Sequence, residues 1–153
     1  MEFFLSFLAN KVMLISLLAW FIAQLAKVMM NFLIERKIDF RLIFSSGGFP
    51  SSHTAIVCAL AISIGKIYGW DTPSFAIAVV LAVIVMYDAT GVRRAAGKHA
   101  MAINNLVEKL SQNQKFDRFG QNVQQERLKE LIGHTPFEVF GGALVGILVS
   151  LFC

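Results

Sequence analysis

The chain has 153 residues, 56% of them hydrophobic and 16% charged, with a formal net charge of +4. Soluble domains usually carry about 25% charged residues, so the composition excludes an ordinary water-soluble globule and places most of the chain in a bilayer. Cys58 lies in an apolar stretch and Cys153 is the last residue; pairing would need unfavourable geometry, and both are read as packing residues or bystanders.

In chain order, Phe3 to Ala9 is apolar but is interrupted by Asn10 and Lys11, and reads as an interfacial lead-in or the start of a long first helix. It has neither an initial charged region nor a convincing cleavage motif, so no cleavable leader is expected. A bilayer-crossing helix needs about 20 mostly apolar residues. Val12 to Ile34, Thr54 to Tyr68, Ser74 to Tyr87 and Pro136 to Phe152 are the candidates, the middle two being short. The fold class expected is therefore all-α: a polytopic integral-membrane helical bundle of about four membrane helices, forming one domain over residues 1–153. Between the third and fourth helices, Ala95 to Leu110 places Ala96, Ala100, Ile103, Val107 and Leu110 at helical spacing, an amphipathic helix that lies on the membrane or caps the bundle. Ser111 to Gln125 reads as a polar loop and Gln124 to Ile132 as a second short helix stopped by Gly133. Together they make residues 95–132 an insertion.

Arg36, Lys37 and Arg41 follow the first helix, and Arg93, Arg94, Lys98, Lys109, Lys115, Arg118, Arg127 and Lys129 follow the third. The positive-inside rule puts both segments in the cytoplasm, and Trp70, in the short opposite turn, fits an interfacial anchor. Such basic residues also have a plain role in holding topology and attracting anionic lipid.

Polar groups within apolar segments are costly and so informative. Gln24, Lys27 and Asn31 recur at spacings of three and four, hence on one helix face; together they suggest an inward stripe rather than a lysine snorkelling to the headgroups. Asp88, beside Arg93 and Arg94, reads as an ion-pair partner and support. Two histidines stand at polar mouths of apolar segments: Phe49-Pro50-Ser51-Ser52-His53-Thr54 and Gly133-His134-Thr135-Pro136-Phe137-Glu138. In the second, Thr135 is a cap and Pro136 occupies the first helical position. Glu138 can then fix the tautomer of His134 and free its other nitrogen as base or nucleophile. In the first, Gly47 and Gly48 allow close backbone approach, and serine hydroxyls and amides at a helix start suit a phosphate. Two separated histidines and one glutamate make no dense metal-ligand cluster, so neither metal nor cofactor is expected.

Pro50-Ser51-Ser52-His53 resembles the Pro-Ser-Gly-His motif of the type 2 phosphatidic acid phosphatase superfamily, and His134-x-x-x-Glu138 its His-x-x-x-Asp motif. With Tyr87-Asp88-Ala89-Thr90-Gly91-Val92-Arg93-Arg94, these stretches are similar to the divergent membrane branch of that superfamily, which is related to acid phosphatases and vanadium-dependent haloperoxidases. The resemblance implies metal-free phosphomonoester hydrolysis through a phosphohistidine. It makes His134 the nucleophile, Glu138 its orienting partner and His53 the acid. Lys27, Arg93 or Arg94, and Arg36 or Arg41 become the phosphoryl clamp, Ser51 and Ser52 part of the cradle, and Gln24, Asn31 and Asp88 supports. Here Ser52 replaces the motif glycine and Glu138 the aspartate. The arginines lie far upstream of His134 rather than a few residues before it, which requires the 95–132 insertion to leave and re-enter the site.

The function expected is a lipid phosphate phosphatase of the bacterial inner membrane, its site facing the cytoplasm, acting on phosphatidylglycerophosphate or phosphatidate. Polyprenyl phosphates stand behind these, and a haloperoxidase further off. The alternative is a non-catalytic lipid-phosphate binder or transporter. Expected partners are the lipid substrate and the bilayer, with no nucleic acid and with a homo-oligomer left open.

Overall fold

A computed structural model describes residues 9–36, 47–111, 128 and 133–153. Regular structure among them is entirely α-helical: α1 Lys11–Glu35, α2 Ser52–Tyr68, α3 Pro73–Thr90, α4 Val92–Ser111 and α5 Pro136–Phe152. Each start has a local cause. The Asn10 side chain accepts from the Met13 N–H at 3.1 Å, and Ser51, Thr72 and Thr135 cap α2, α3 and α5 in the same manner. Pro73 and Pro136 occupy the first turn, where a missing N–H costs nothing. Helix α1 ends at Arg36, whose left-handed backbone (φ 53°) returns its N–H to the Phe32 carbonyl.

Helix α2 is the hub, packed against α1, α3 and α5, while α5 also meets α1 and α3, and α4 packs on α3. What this bundle buries is small: Ala19, Ala23, Ala55, Ala59, Ala78 and Ala82, with Gly141, Gly142 and Gly146 of α5. What it exposes is large and apolar, including Phe21, Leu33, Ile77, Val83, Phe140 and Leu151. That is the inverse of a water-soluble core and the arrangement expected where lipid covers the outside and close backbone approach holds the helices together. A hydroxyl network ties the same helices: Ser63 Oγ lies 3.3 Å from Ser150 Oγ, which sits within hydrogen-bond reach of the Ala59 and Gly146 carbonyls. Lys66 Nζ donates to the Ser150 carbonyl at 2.6 Å and to that of Leu151, satisfying the C-terminal end of α5 from α2.

Two stretches, Lys11–Leu33 and Pro73–Lys109, are long and apolar enough to cross a membrane, and only 17% of the second's apolar window is buried. Of the four expected spans, these two meet that length. The other two apolar helices, α2 and α5, have 17 residues each, roughly 25 Å at about 1.5 Å per residue against a hydrocarbon core of about 30 Å. Helix α3 continues past Asp88 to Thr90, and α4 begins at Val92 rather than Ala95, which puts Arg93 and Arg94 on a helix. The expected lead-in at 3–8, most of the loop over 111–125 and the short helix over 124–132 lie outside the described residues, Leu128 excepted.

A Cβ at Gly146 would stand 2.4 Å from the Ala55 carbonyl oxygen. Gly146→Val should therefore force α2 and α5 apart and cost about 1–3 kcal/mol, whereas Ser150→Ala, which removes only the hydroxyl, should cost about 0.6 kcal/mol. Thermal unfolding in detergent checks this ordering; a Gly146→Val protein as stable as the parent would contradict the contact.

Candidate active site

The two histidine motifs meet through backbone. Ser51 donates its N–H to the Glu138 carbonyl at 3.0 Å, joining the start of α2 to the first turn of α5. A Cβ at Gly142 would meet the Ser51 carbonyl oxygen at 2.2 Å, and one at Gly141 the ring of Phe49, which stacks on Phe137 with centroids 5.1 Å apart. The glycines thus let the two helix mouths close on each other.

Within that junction His134 is 2% exposed. Its N–H donates to the Ala89 carbonyl at 2.9 Å, docking the residue on the end of α3. Its ring Nδ1 and Glu138 Oε2 are 2.9 Å apart. The same carboxylate oxygen accepts from the Thr135 N–H while Thr135 Oγ1 accepts from the Glu138 N–H, a capping box that fixes Glu138 as it fixes the helix start. A carboxylate at Nδ1 assigns the proton there and leaves a lone pair on Nε2. That Nε2 is buried and has no hydrogen-bond partner among the described residues. The His53 ring is its neighbour, with centroids 6.2 Å apart and planes tilted by 58°.

Positive charge converges here from two other helices. Lys27 of α1 is 3% exposed, and its charge acts on Glu138, His53 and His134. Its alkyl stem runs beside Gly48, where a Cβ would lie 3.4 Å from Cδ and where φ is +94°, a conformation that favours glycine. Arg93, in the first turn of α4, also acts on both histidines, and its Nε donates to Asp88 Oδ2, leaving the terminal nitrogens to point elsewhere. Gly133 secures the return of the chain to this point: with φ +90°, a Cβ on it would sit 2.3 Å from the Arg94 backbone nitrogen.

Of the residues expected at the site, His53, His134, Glu138, Lys27 and Arg93 come together, with Asp88 holding Arg93. Between the two arginines, Arg93 carries its charge to the histidines, and Arg94 meets Gly133 through backbone. Gln24 is buried beside Lys27 on the inward face of α1 and Asn31 is half-buried. Arg36 stands exposed at the end of α1, and Lys37 and Arg41 lie outside the described residues. Ser51 and Ser52 are buried. The Ser51 hydroxyl accepts from the Thr54 N–H and hydroxyl at 3.4 and 3.0 Å, and its own N–H is spent on Glu138. It therefore caps α2, and in both bonds the hydroxyl oxygen is the acceptor. Sequence reasoning missed the Ala89 carbonyl as the anchor of His134 and the roles of Gly48 and Gly133 beside Lys27 and Arg94. Only the glycine identities signalled these close approaches.

Burial pushes the His134 imidazole below its ordinary 6.5, while the hydrogen bond and charge of Glu138 pull it up and Lys27 and Arg93 push it further down. The ring should therefore stay neutral as pH falls through 6.5 and gain its proton only below that. Removing the carboxylate's pull in Glu138→Gln should lower the transition further, and removing a positive neighbour in Arg93→Ala should raise it. Histidine-ring NMR of the protein in micelles reads both directions; an upward movement in Glu138→Gln would contradict the pairing.

Comparison with known proteins places this arrangement in context. Residues 8–149 match the model of a family described as divergent PAP2. An uncharacterized membrane protein of Bacillus subtilis strain 168, YuiD, is 45% identical over 148 residues, covering 94% of each chain. No solved structure matches. A match running from the head of α1 nearly to the end of α5 takes in every helix that supplies a group to the site, and the chain belongs to the divergent PAP2 family.

Proposed function

We propose that this protein is a metal-independent phosphatase that removes a phosphomonoester from a membrane lipid through a phosphohistidine. The observation that carries the reading is His134 itself, with Nδ1 on Glu138 at 2.9 Å and a buried Nε2 without a partner among the described residues. A buried nitrogen with a free lone pair costs about 1–3 kcal/mol if nothing meets it, and phosphorus is an electrophile that would. Membership of the divergent PAP2 family supports phosphoryl chemistry.

In the proposed reaction, Nε2 attacks phosphorus as the bond to the lipid oxygen breaks, and His53, as its acid, protonates the departing alkoxide. Lys27 and Arg93 stabilise charge on the transferring group. Water, deprotonated by His53, then attacks the phosphohistidine, releasing phosphate and restoring both rings. The substrates that fit are phosphatidylglycerophosphate or phosphatidate, with polyprenyl phosphates behind them. The basic residues after α1 and α3 support a site on the cytoplasmic side of the bacterial inner membrane.

Phosphate release from lipid vesicles by the purified protein tests the reading. His134→Ala should abolish turnover while retaining lipid-phosphate binding. His53→Ala should slow it by roughly 10²–10⁴-fold, more for alkyl phosphates than for esters with good leaving groups, and Glu138→Asp should keep activity. Turnover by His134→Ala equal to the parent ends the phosphohistidine mechanism; binding without turnover in the parent favours a lipid-phosphate binder or transporter.

Orientation has its own test. In a background lacking Cys58 and Cys153, a cysteine at position 98 should be labelled only from the cytoplasmic side and one at position 71 only from outside. Labelling of position 98 in intact cells by an impermeant reagent would reverse the assignment.

A further inference from the structure

Helix α4 carries an apolar face that the described residues leave open. At about 100° per residue, Val92, Ala96, His99, Ile103 and Leu106 fall within one arc, while Arg94, Asn105 and Glu108 lie opposite. Val92, Ile103 and Leu106 are 68%, 46% and 59% exposed. Leu128 does touch α4, but on another side: Asn104 donates from Nδ2 to the Leu128 carbonyl at 3.0 Å and accepts the Leu128 N–H at 3.2 Å. Gly97 and Ala100, next to Asn104 on the wheel, are the buried positions of this helix.

Two further observations say what meets the open arc. Helix α4 follows α3 after the single residue Gly91, and the stretch Pro73–Lys109 contains a candidate span, so α4 starts where the chain leaves the hydrocarbon. On the border between arc and polar side stand Lys98 and Lys109, placed as the basic residues of interfacial helices are, with stems along the apolar face and ammonium groups at headgroup level. We infer that α4 lies in the headgroup layer on the side of the active site, its apolar arc against the acyl boundary and its lysines on anionic lipid phosphates. The attraction follows from the negative potential of an anionic leaflet. Docking there also sets the depth of Arg93, in the first turn of α4, level with the headgroups. None of this depends on the protein being a phosphatase.

The test uses the full chain, reconstituted in vesicles of phosphatidylglycerol with phosphatidylcholine or of phosphatidylcholine alone. Nitroxides go singly at positions 98, 103, 105 and 106 in a background lacking Cys58 and Cys153. Accessibility to oxygen relative to a water-soluble nickel complex should be several-fold higher at 103 and 106 than at 98 and 105, with the contrast larger in anionic vesicles. Lys98→Glu combined with Lys109→Glu should remove the dependence on anionic lipid. Low accessibility to both reagents at 103 and 106 would mean that protein covers the arc, either this chain's own insertion or a second copy, and would overturn the inference. So would water-like values at all four positions. A dependence on anionic lipid that survives the charge reversal would overturn the role of the lysines.

Discussion

The close approach of α2 and α5 is the constraint on which the rest depends. Ser51 gives its N–H to the Glu138 carbonyl, and Gly142 and Gly146 let the two backbones come near enough for that bond to form. In a lipid environment apolar burial supplies no force between helices, so contact between backbones and a few polar links must supply it. Here those links sit at opposite ends of the helix pair: the Ser51 to Glu138 bond at the site, and the Ser63, Ser150 and Lys66 cluster at the other end. Fixing both ends fixes the relative rotation of the helices, and with it the distance between His53 at the head of α2 and His134 just before α5.

The same junction explains why one histidine is so deeply enclosed. His134 is held by its backbone on Ala89, by its ring on Glu138, and from behind by the close fit of Gly133 against the start of α4. The fit sets Nδ1 on Glu138 and leaves Nε2 buried, with the His53 ring 6.2 Å away between centroids. An imidazole in that setting prefers to be neutral, and Glu138, itself locked in the capping box, decides which nitrogen keeps the proton. Helix capping and site geometry thus share the Glu138 carboxylate, which meets both the His134 ring and the Thr135 N–H.

Much of this was legible in the sequence because it follows from short-range rules. Thr135 is a capping residue in a capping position, Pro136 opens a helix, and Glu138 follows His134 at the spacing of one helical turn. The burial of Lys27 with Gln24 was readable as a polar stripe in an apolar helix. What was not legible depends on tertiary closeness. A hydroxyl at a helix mouth can serve the cap as well as an anion, and the bonds of Ser51 to Thr54 and Glu138 are visible only in the folded chain. The number of spans is not decided by composition alone for a related reason: α2 and α5 are apolar throughout, but at 17 residues each they stand at the lower end of the length of about 17–25 residues that a crossing helix has.

The separation of the arginines from His134 in sequence bears on how such a site tolerates an insertion. A side-chain contact across a long excursion would need the intervening chain to place both partners, and ordering that chain costs entropy that a single contact does not return. Here the return is registered at two points in backbone, the His134 N–H on the Ala89 carbonyl and Gly133 against the Arg93 to Arg94 peptide. Both anchors belong to the α3–α4 junction. Arg93, on the near side of the excursion, stands in the first turn of α4 because that helix begins three residues earlier than its apolar pattern suggests, and from there its charge acts on both histidines.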